Sequence, residues 1–211
     1  AIRAIEIGGK FDGHVIPSDI NDMTRNSVEA IKGSGLIGVA KDNYPISGTP
    51  PALAAGFMMI ELDKETGKFE ILEYNGVIDC GTVIHPMGLA SQVKGGAVMG
   101  IGLAHLERLV YDPQNGLPAN VFLYESKPPT YLDVPSKLGS DAVDIPDPQN
   151  PVGVRGMGEP VMGCAAAALI SAISDALGGH YFNRTPISND MILNALHNQR
   201  QSHDPLQVYT F

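Results

Sequence analysis

The sequence predicts an α+β fold, a β-hairpin and mixed sheet packed with helices, and three stretches carry that prediction. Two apolar, β-leaning runs, Ala54 to Asp63 and Lys68 to Asp79, flank the loop Asp63-Lys64-Glu65-Thr66-Gly67, whose closing glycine is a hairpin signature. Pro86 to Glu107 repeats small residues about once per turn, including Gly95, Gly96, Gly100 and Gly102. Each interior glycine costs about 1 kcal/mol of helix propensity, a cost recovered by close packing on a neighbour or a ligand. Pro160 to Leu177 is a long apolar helix entered through Gly156-Met157-Gly158-Glu159.

Composition excludes several classes. With 211 residues, 44% hydrophobic and 18% charged, the chain buries one substantial core or two modest ones and is not disordered. A net charge of -9 without a basic block argues against a nucleic-acid groove or an anionic membrane surface. The longest apolar runs, Ala52 to Ile60 and Cys164 to Ile173, are too short for a membrane span. Cys80 and Cys164 show neither metal spacing nor a disulfide framework. The expected location is cytoplasmic, with the periplasm left open. Ala1 opens no signal-like stretch, so the chain is expected to be processed or to begin partway through a longer polypeptide.

With 24 glycines and 16 prolines the chain turns often. Ile20 to Ile31, with Met23, Val28 and Ile31 spaced for one face, predicts a short helix ended by Gly33 and Gly35. The Gly-, Pro- and Ser-rich loop from Asp42 to Pro51 is the expected boundary between an N-terminal segment, residues 1–50, and a domain over residues 51–211. After the hairpin and the small-residue helix, strand-like Leu106 to Tyr111 meets the turn Asp112-Pro113-Gln114-Asn115-Gly116. Pro118 to Pro151 reads as irregular, with Tyr124 to Pro135 extended. The final helix is expected over Pro186 to His197 with Thr185 as its cap, followed from Gln199 to Phe211 by a polar, then β-prone tail. The expected core contains Phe57, Met59, Leu62, Ile71, Val77, Val98, Ile101, Leu169 and Ile173.

The stretch Gly153-Val154-Arg155-Gly156-Met157-Gly158-Glu159-Pro160 concentrates the chemistry. Pro160 suits a first helical position, which makes Glu159 the expected cap residue. Gly153, Gly156 and Gly158 bring no Cβ atoms, so backbone can pass close to a bulky or planar group. A carboxylate held ionised at a helix N-terminus in a glycine-lined cleft is a candidate general base, and an ordinary acidic cap is the alternative. Arg155, beside the glycines, could meet a substrate carboxylate or a cofactor phosphate. His85 has no second ligand at metal spacing and reads as a turn residue. Cys164 reads as packed, Asp79 as closing a turn with Gly81, and Glu107 as ending a helix. Gly100 and Gly102 fall late in a helix, so they do not form a dinucleotide-binding turn.

Five pieces in order carry a resemblance. They are Val77-Ile78-Asp79-Cys80-Gly81-Thr82-Val83-Ile84-His85-Pro86, Gln92-Val93-Lys94-Gly95-Gly96, Gly100-Ile101-Gly102, Glu107, and Gly156-Met157-Gly158-Glu159-Pro160. Together they resemble the C-terminal portion of the molybdopterin-binding subunit of the xanthine dehydrogenase and aldehyde oxidase family, over roughly Pro51 to Leu196. The resemblance implies a domain of the molybdenum-cofactor-binding type. It also implies a molybdenum-pterin cofactor used to oxidise an aldehyde or N-heterocycle with a water-derived oxygen. Carried over, the base of that reaction is Glu159, and Gln92 is the glutamine that hydrogen-bonds the pterin, its amide donating and accepting at once. Gly95, Gly96, Gly156 and Gly158 fall in the same cofactor-binding motifs, and the metal is held through the pterin dithiolene, not by protein ligands.

Two departures matter: His85 stands where the family often has asparagine, and Val161 where it commonly repeats proline. The family's upstream Gly-Gln-Gly loop, its serine-bearing loop and its cysteine-rich iron-sulfur segments have no counterpart in these residues. The implied partners are therefore the remainder of the molybdopterin-binding subunit, an iron-sulfur subunit and a flavin subunit, carrying iron-sulfur clusters and FAD. The alternative is a non-catalytic pterin-binding or assembly module of the same fold.

Overall fold

The hairpin is closed by Asp63, whose carboxylate accepts hydrogen bonds from the Glu65 amide at 2.8 Å and the Thr66 hydroxyl at 2.6 Å. Gly67 follows at φ +68, where an added Cβ would lie 2.8 Å from the Asn189 carbonyl, so only glycine fits. In this computed structural model, residues 21–30, 51–149 and 151–203 are described. The loop expected over 42–51, except its last residue, and the end of the tail beyond residue 203 lie outside them. The chain separates into two units, Ala1–Thr49 with Gln149–Pro151, and Pro50–Pro148 with Val152–Phe211. Within the first, helix α1 spans Asp22–Ala30, inside the predicted stretch.

The second unit is α+β, as predicted. Strands β1 (Ala54–Leu62) and β2 (Phe69–Ile78) pair antiparallel, and β3 (Lys137–Ala142) adds to β2 in parallel, giving a mixed sheet of order β1-β2-β3. The β1–β2 register slips between Met59 and Ile60, which leaves Leu72 as an extra residue on β2. Helices α2 (Pro86–Ile101) and α4 (Glu159–Ala176) pack on each other and on the sheet. A π-helical turn, Gly102–Leu106, continues α2 and ends at Glu107, as expected. The short helix α3 (Leu123–Ser126), a 3₁₀ turn at Tyr131–Asp133 and helix α5 (Asn189–Leu196) complete the unit.

The core forms where small residues admit large ones. Gly56 and Gly76 face each other across the hairpin, and Cβ atoms there would lie 3.1 Å and 2.9 Å from the Tyr74 side chain. The Tyr74 ring fills that slot, fully buried, and its hydroxyl lies 3.5 Å from Cys164 Sγ. Ala97 and Ala165 are buried with it, Val93 and Val161 form a second cluster with Ile78 and Cys80, and Leu169, Ile173, Ile187 and Ile192 lie in a third with Ile101. Each large aliphatic among them stabilises the fold by about 1.5–3 kcal/mol. With 18 residues and a mean hydropathy of 1.2, α4 matches a membrane span by length and composition. One face of it, with Val161, Ala165, Ala166, Leu169 and Ile173, is buried in the core.

Several expectations are corrected. Phe57 and Met59 are 67% and 50% exposed, because β1 turns Met58, Ile60 and Leu62 toward the helices and its odd positions outward. Leu62, Ile71, Val77 and Val98 are half-buried, while Ile101, Leu169 and Ile173 are buried as expected. Leu106 to Tyr111 forms no strand, only a bridge between Tyr111 and Pro118, although the Asp112–Gly116 turn is present. Tyr124 to Pro135 is not extended: α3 and the 3₁₀ turn occupy it, and β3 lies in the stretch read as irregular. The last helix begins at Asn189 with Ser188 as cap, not at Pro186 after Thr185. The segment before it is held by tertiary contacts: Ile187 is fully buried and its amide donates to the Ala104 carbonyl at 2.8 Å.

Candidate functional site

Two chain crossings build the site. The end of β2 runs beside residues 153–155. The Thr82 amide donates to the Gly153 carbonyl at 2.7 Å, and the Arg155 amide to the Cys80 carbonyl at 2.7 Å. Gly81 and Gly153 both have positive φ there, and a Cβ on Gly81 would sit 2.1 Å from the Gly153 oxygen. No other residue permits that approach. Asp79 closes the turn as expected, its Oδ1 accepting from the Gly81 amide at 3.2 Å.

Arg155 fixes the loop. Its Nε donates to Asp147 Oδ2 at 2.7 Å and its Nη1 pairs with Asp79 Oδ2. The hydrogen bond to Asp147, 3% exposed, and the charge of Asp79 hold the guanidinium pKa above its ordinary value. The arginine for which an anionic substrate or cofactor was one candidate partner is therefore bound to two carboxylates of its own chain. Nothing in the sequence around Asp147 marked it as that partner.

The second crossing is between helices. A Cβ on Gly96 would lie 2.9 Å from Val161 Cβ and 3.4 Å from the Gly158 carbonyl. One on Gly100 would lie 2.5 Å from the Met162 carbonyl. These glycines let α2 rest directly on the start of α4. One turn before Gly96, Gln92 reaches the same point: its Oε1 is 3.6 Å from the position of a Gly158 Cβ. Gln92, Gly96, Gly158 and Glu159 are thus gathered at one helix N-terminus. Gly95, on the exposed side of α2, and Gly156 have no heavy atom within 4 Å of a Cβ position, so packing within this chain does not require them to be glycine.

Gly158, not Glu159, is the cap residue; Glu159 is the first helical residue and Pro160 the second. Proline is still accommodated, because the amides of the first turn have no intrahelical acceptor. Glu159 is exposed among the described residues rather than sunk at the bottom of a cleft. The adjacent recess, about 230 Å³, is walled by Val83, His85, Leu89, Val154, Arg155 and Met157 among others, and Glu159 is not one of them. His85 caps α2, its Nδ1 accepting from the Gly88 amide at 2.7 Å. Cys164 is packed, donating to the Val161 carbonyl at 3.2 Å, and burial raises the pKa of the Cys80 thiol.

These residues fit a flat group with hydrogen-bonding edges. The positions where Gly95 and Gly156 lack a Cβ open onto free space, and beside them stand an amide that donates and accepts, Gln92, and a carboxylate, Glu159.

Residues 24–135 match the molybdopterin cofactor-binding domain family. The chain is 33% identical over 151 residues to the 6-hydroxypseudooxynicotine dehydrogenase complex subunit gamma of Paenarthrobacter nicotinovorans, covering 71% of this chain and 18% of that protein. It is 34% identical over 139 residues to the xanthine dehydrogenase molybdenum-binding subunit of Escherichia coli O157:H7, covering 66% and 18%. The crystal structure of quinoline 2-oxidoreductase from Pseudomonas putida 86 superposes with a TM-score of 0.61 at 33% identity, covering 67% of this chain and 18% of that one. The chain thus spans about a fifth of the length of these relatives. On the fold, the motifs and these matches together, the chain belongs to the molybdopterin cofactor-binding domain family and corresponds to part of the large subunit of a molybdenum hydroxylase.

Proposed function

We propose that this chain supplies the general base and part of the pterin-binding surface of a molybdenum hydroxylase acting on an N-heterocycle or an aldehyde. The observation that carries the reading is the convergence of Gln92, Gly158 and Glu159 at the N-terminus of α4. When bound, the molybdenum-pterin cofactor supplies two-electron oxidation of the substrate carbon with an oxygen from water. Gln92 offers both a donor and an acceptor to the pterin edge. Glu159 presents a carboxylate at which the proton released in the reaction is accepted. The Arg155 clamp fixes the loop that leads into Glu159 to Asp79, just past the end of β2, and to Asp147.

The names of the relatives support both substrate classes, since they include a nicotine 6-hydroxylase, a xanthine dehydrogenase, a quinoline oxidoreductase and an aldehyde oxidoreductase, beside carbon monoxide dehydrogenases. The remainder of the large subunit, an iron-sulfur subunit and a flavin subunit are the proposed partners, with iron-sulfur clusters and FAD carrying electrons onward. Dye reduction with N-heterocycles and aldehydes in the assembled protein tests the proposal. Glu159→Gln keeps the shape and removes the base, and it is expected to lower kcat by about 10²–10⁴-fold at unchanged molybdenum content. A variant that keeps its rate would remove Glu159 from the reaction. A molybdenum-loaded wild type without turnover would make the chain a non-catalytic pterin-binding or assembly module.

A further inference from the structure

The segment 109–132 turns its apolar side chains outward. Phe122 is 68% exposed, Leu123 77%, Tyr124 93%, Tyr131 90% and Leu132 93%. Soluble proteins rarely leave so dense a run of large apolar groups in water unless it is a contact surface.

Its polar groups, by contrast, are satisfied within or next to the segment. The Asp112 amide donates to the Leu117 carbonyl at 2.9 Å, and the Ala119 amide to that of Val110 at 2.7 Å. Asn120 Oδ1 accepts from the Val110 amide at 2.8 Å, and Glu125 Oε2 accepts from the Val121 amide at 3.1 Å. Asp133 Oδ2 accepts from both the amide and the hydroxyl of Thr130 at 2.7 Å, which lowers its pKa. The segment is a preformed arm with these hydrogen bonds made locally and its largest exposed side chains aromatic and aliphatic. Preformed arms lose little entropy on docking, and tyrosine and phenylalanine are the side chains that anchor interfaces.

We propose that this arm docks on the rest of the same large subunit, an inference that rests on the reading of this chain as part of such a subunit. Two observations select that occupant. The chain spans only 18% of its relatives' length, so most of such a subunit lies outside it. The exposed side chains are also uncharged and apolar, alternating aliphatic and aromatic, over the four consecutive positions Val121-Phe122-Leu123-Tyr124. That is the composition of a permanent interface, which resembles a core cut in two, and not of a transient one with a charged rim.

Site-directed photo-crosslinking in the full-length subunit, assembled with its natural neighbours, tests this. Tyr124→p-benzoylphenylalanine and Tyr131→p-benzoylphenylalanine keep an aromatic ring at each position, so the fold is preserved. After illumination and digestion, the expected product has the mass of one subunit, with position 124 or 131 joined to a peptide outside residues 1–211. A product of two subunit masses would assign the arm to a second copy, and a product containing another subunit would assign it to that partner. Either result, or the absence of any cross-link, overturns the proposal. The readout is a mass and not turnover, so it stays informative even if Glu159 proves not to be the base.

Discussion

Arg155 Nε donates to the buried Asp147 at 2.7 Å while its Nη1 reaches Asp79, so one guanidinium ties the loop before Glu159 to the end of β2. Asp147→Ala leaves that arginine with half of its partners and is expected to cost about 2 kcal/mol, the range for breaking a part-buried charged hydrogen bond. Thermal unfolding measures it. If Asp147→Ala unfolds at the wild-type temperature, the clamp is not a structural element.

Gly95 and Gly100 stand on the same helix with opposite surroundings. A Cβ on Gly100 would lie 2.5 Å from the Met162 carbonyl and 2.8 Å from Ala165 Cβ, whereas none would meet anything within 4 Å on Gly95. Gly100→Ala is expected to destabilise by about 1–3 kcal/mol through overpacking, despite a gain in helix propensity. Gly95→Ala is expected to stabilise by up to about 1 kcal/mol. Denaturant midpoints of the two variants should move in opposite directions.

His85 caps α2 through Nδ1. His85→Ala removes the acceptor for the Gly88 amide and is expected to cost about 1 kcal/mol, while His85→Asn retains a capping oxygen and should stay within a few tenths of a kcal/mol of wild type, roughly. Equal losses in urea titration would show that the cap is unimportant.

Burial raises the pKa of the Tyr74 hydroxyl, with its contact to Cys164 adding to the effect. In the unfolded chain the phenol ionises near pH 10, roughly, before the folded one does. Stability from this group is therefore complete below that pH and is lost as pH rises above it toward the folded value. Tyr74→Phe is expected to cost about 1 kcal/mol or less at neutral pH and to flatten the fall in stability above pH 10, roughly. An unchanged alkaline limb would show that another group sets it.

Much of the fold was legible because it is written in local pattern. The polar loop with Gly67 at its end announces the hairpin, and the small residues of Pro86 to Ile101 announce a closely packed helix. The phase of β1 was misread since Ala54 to Ile60 is apolar on both faces; Glu61, on the outward phase, is the signal that places Phe57 and Met59 outside. β3 was missed because Lys137-Leu138-Gly139-Ser140-Asp141-Ala142 has no strand pattern and pairs only because β2 offers it an edge.

Residue identity and order by themselves determined the family motifs, the hairpin, the existence of the long helix α4 and the candidate residues Gln92 and Glu159. Tertiary structure alone decided that Gln92 lies beside Gly158, that Arg155 belongs to Asp79 and Asp147, that Ile187 is buried against the Ala104 carbonyl, and that Glu159 is exposed. The division has a physical cause. Turn chemistry and helix periodicity act between neighbours a few residues apart, whereas ion pairing and burial depend on which distant segments the folded chain brings within a few ångströms.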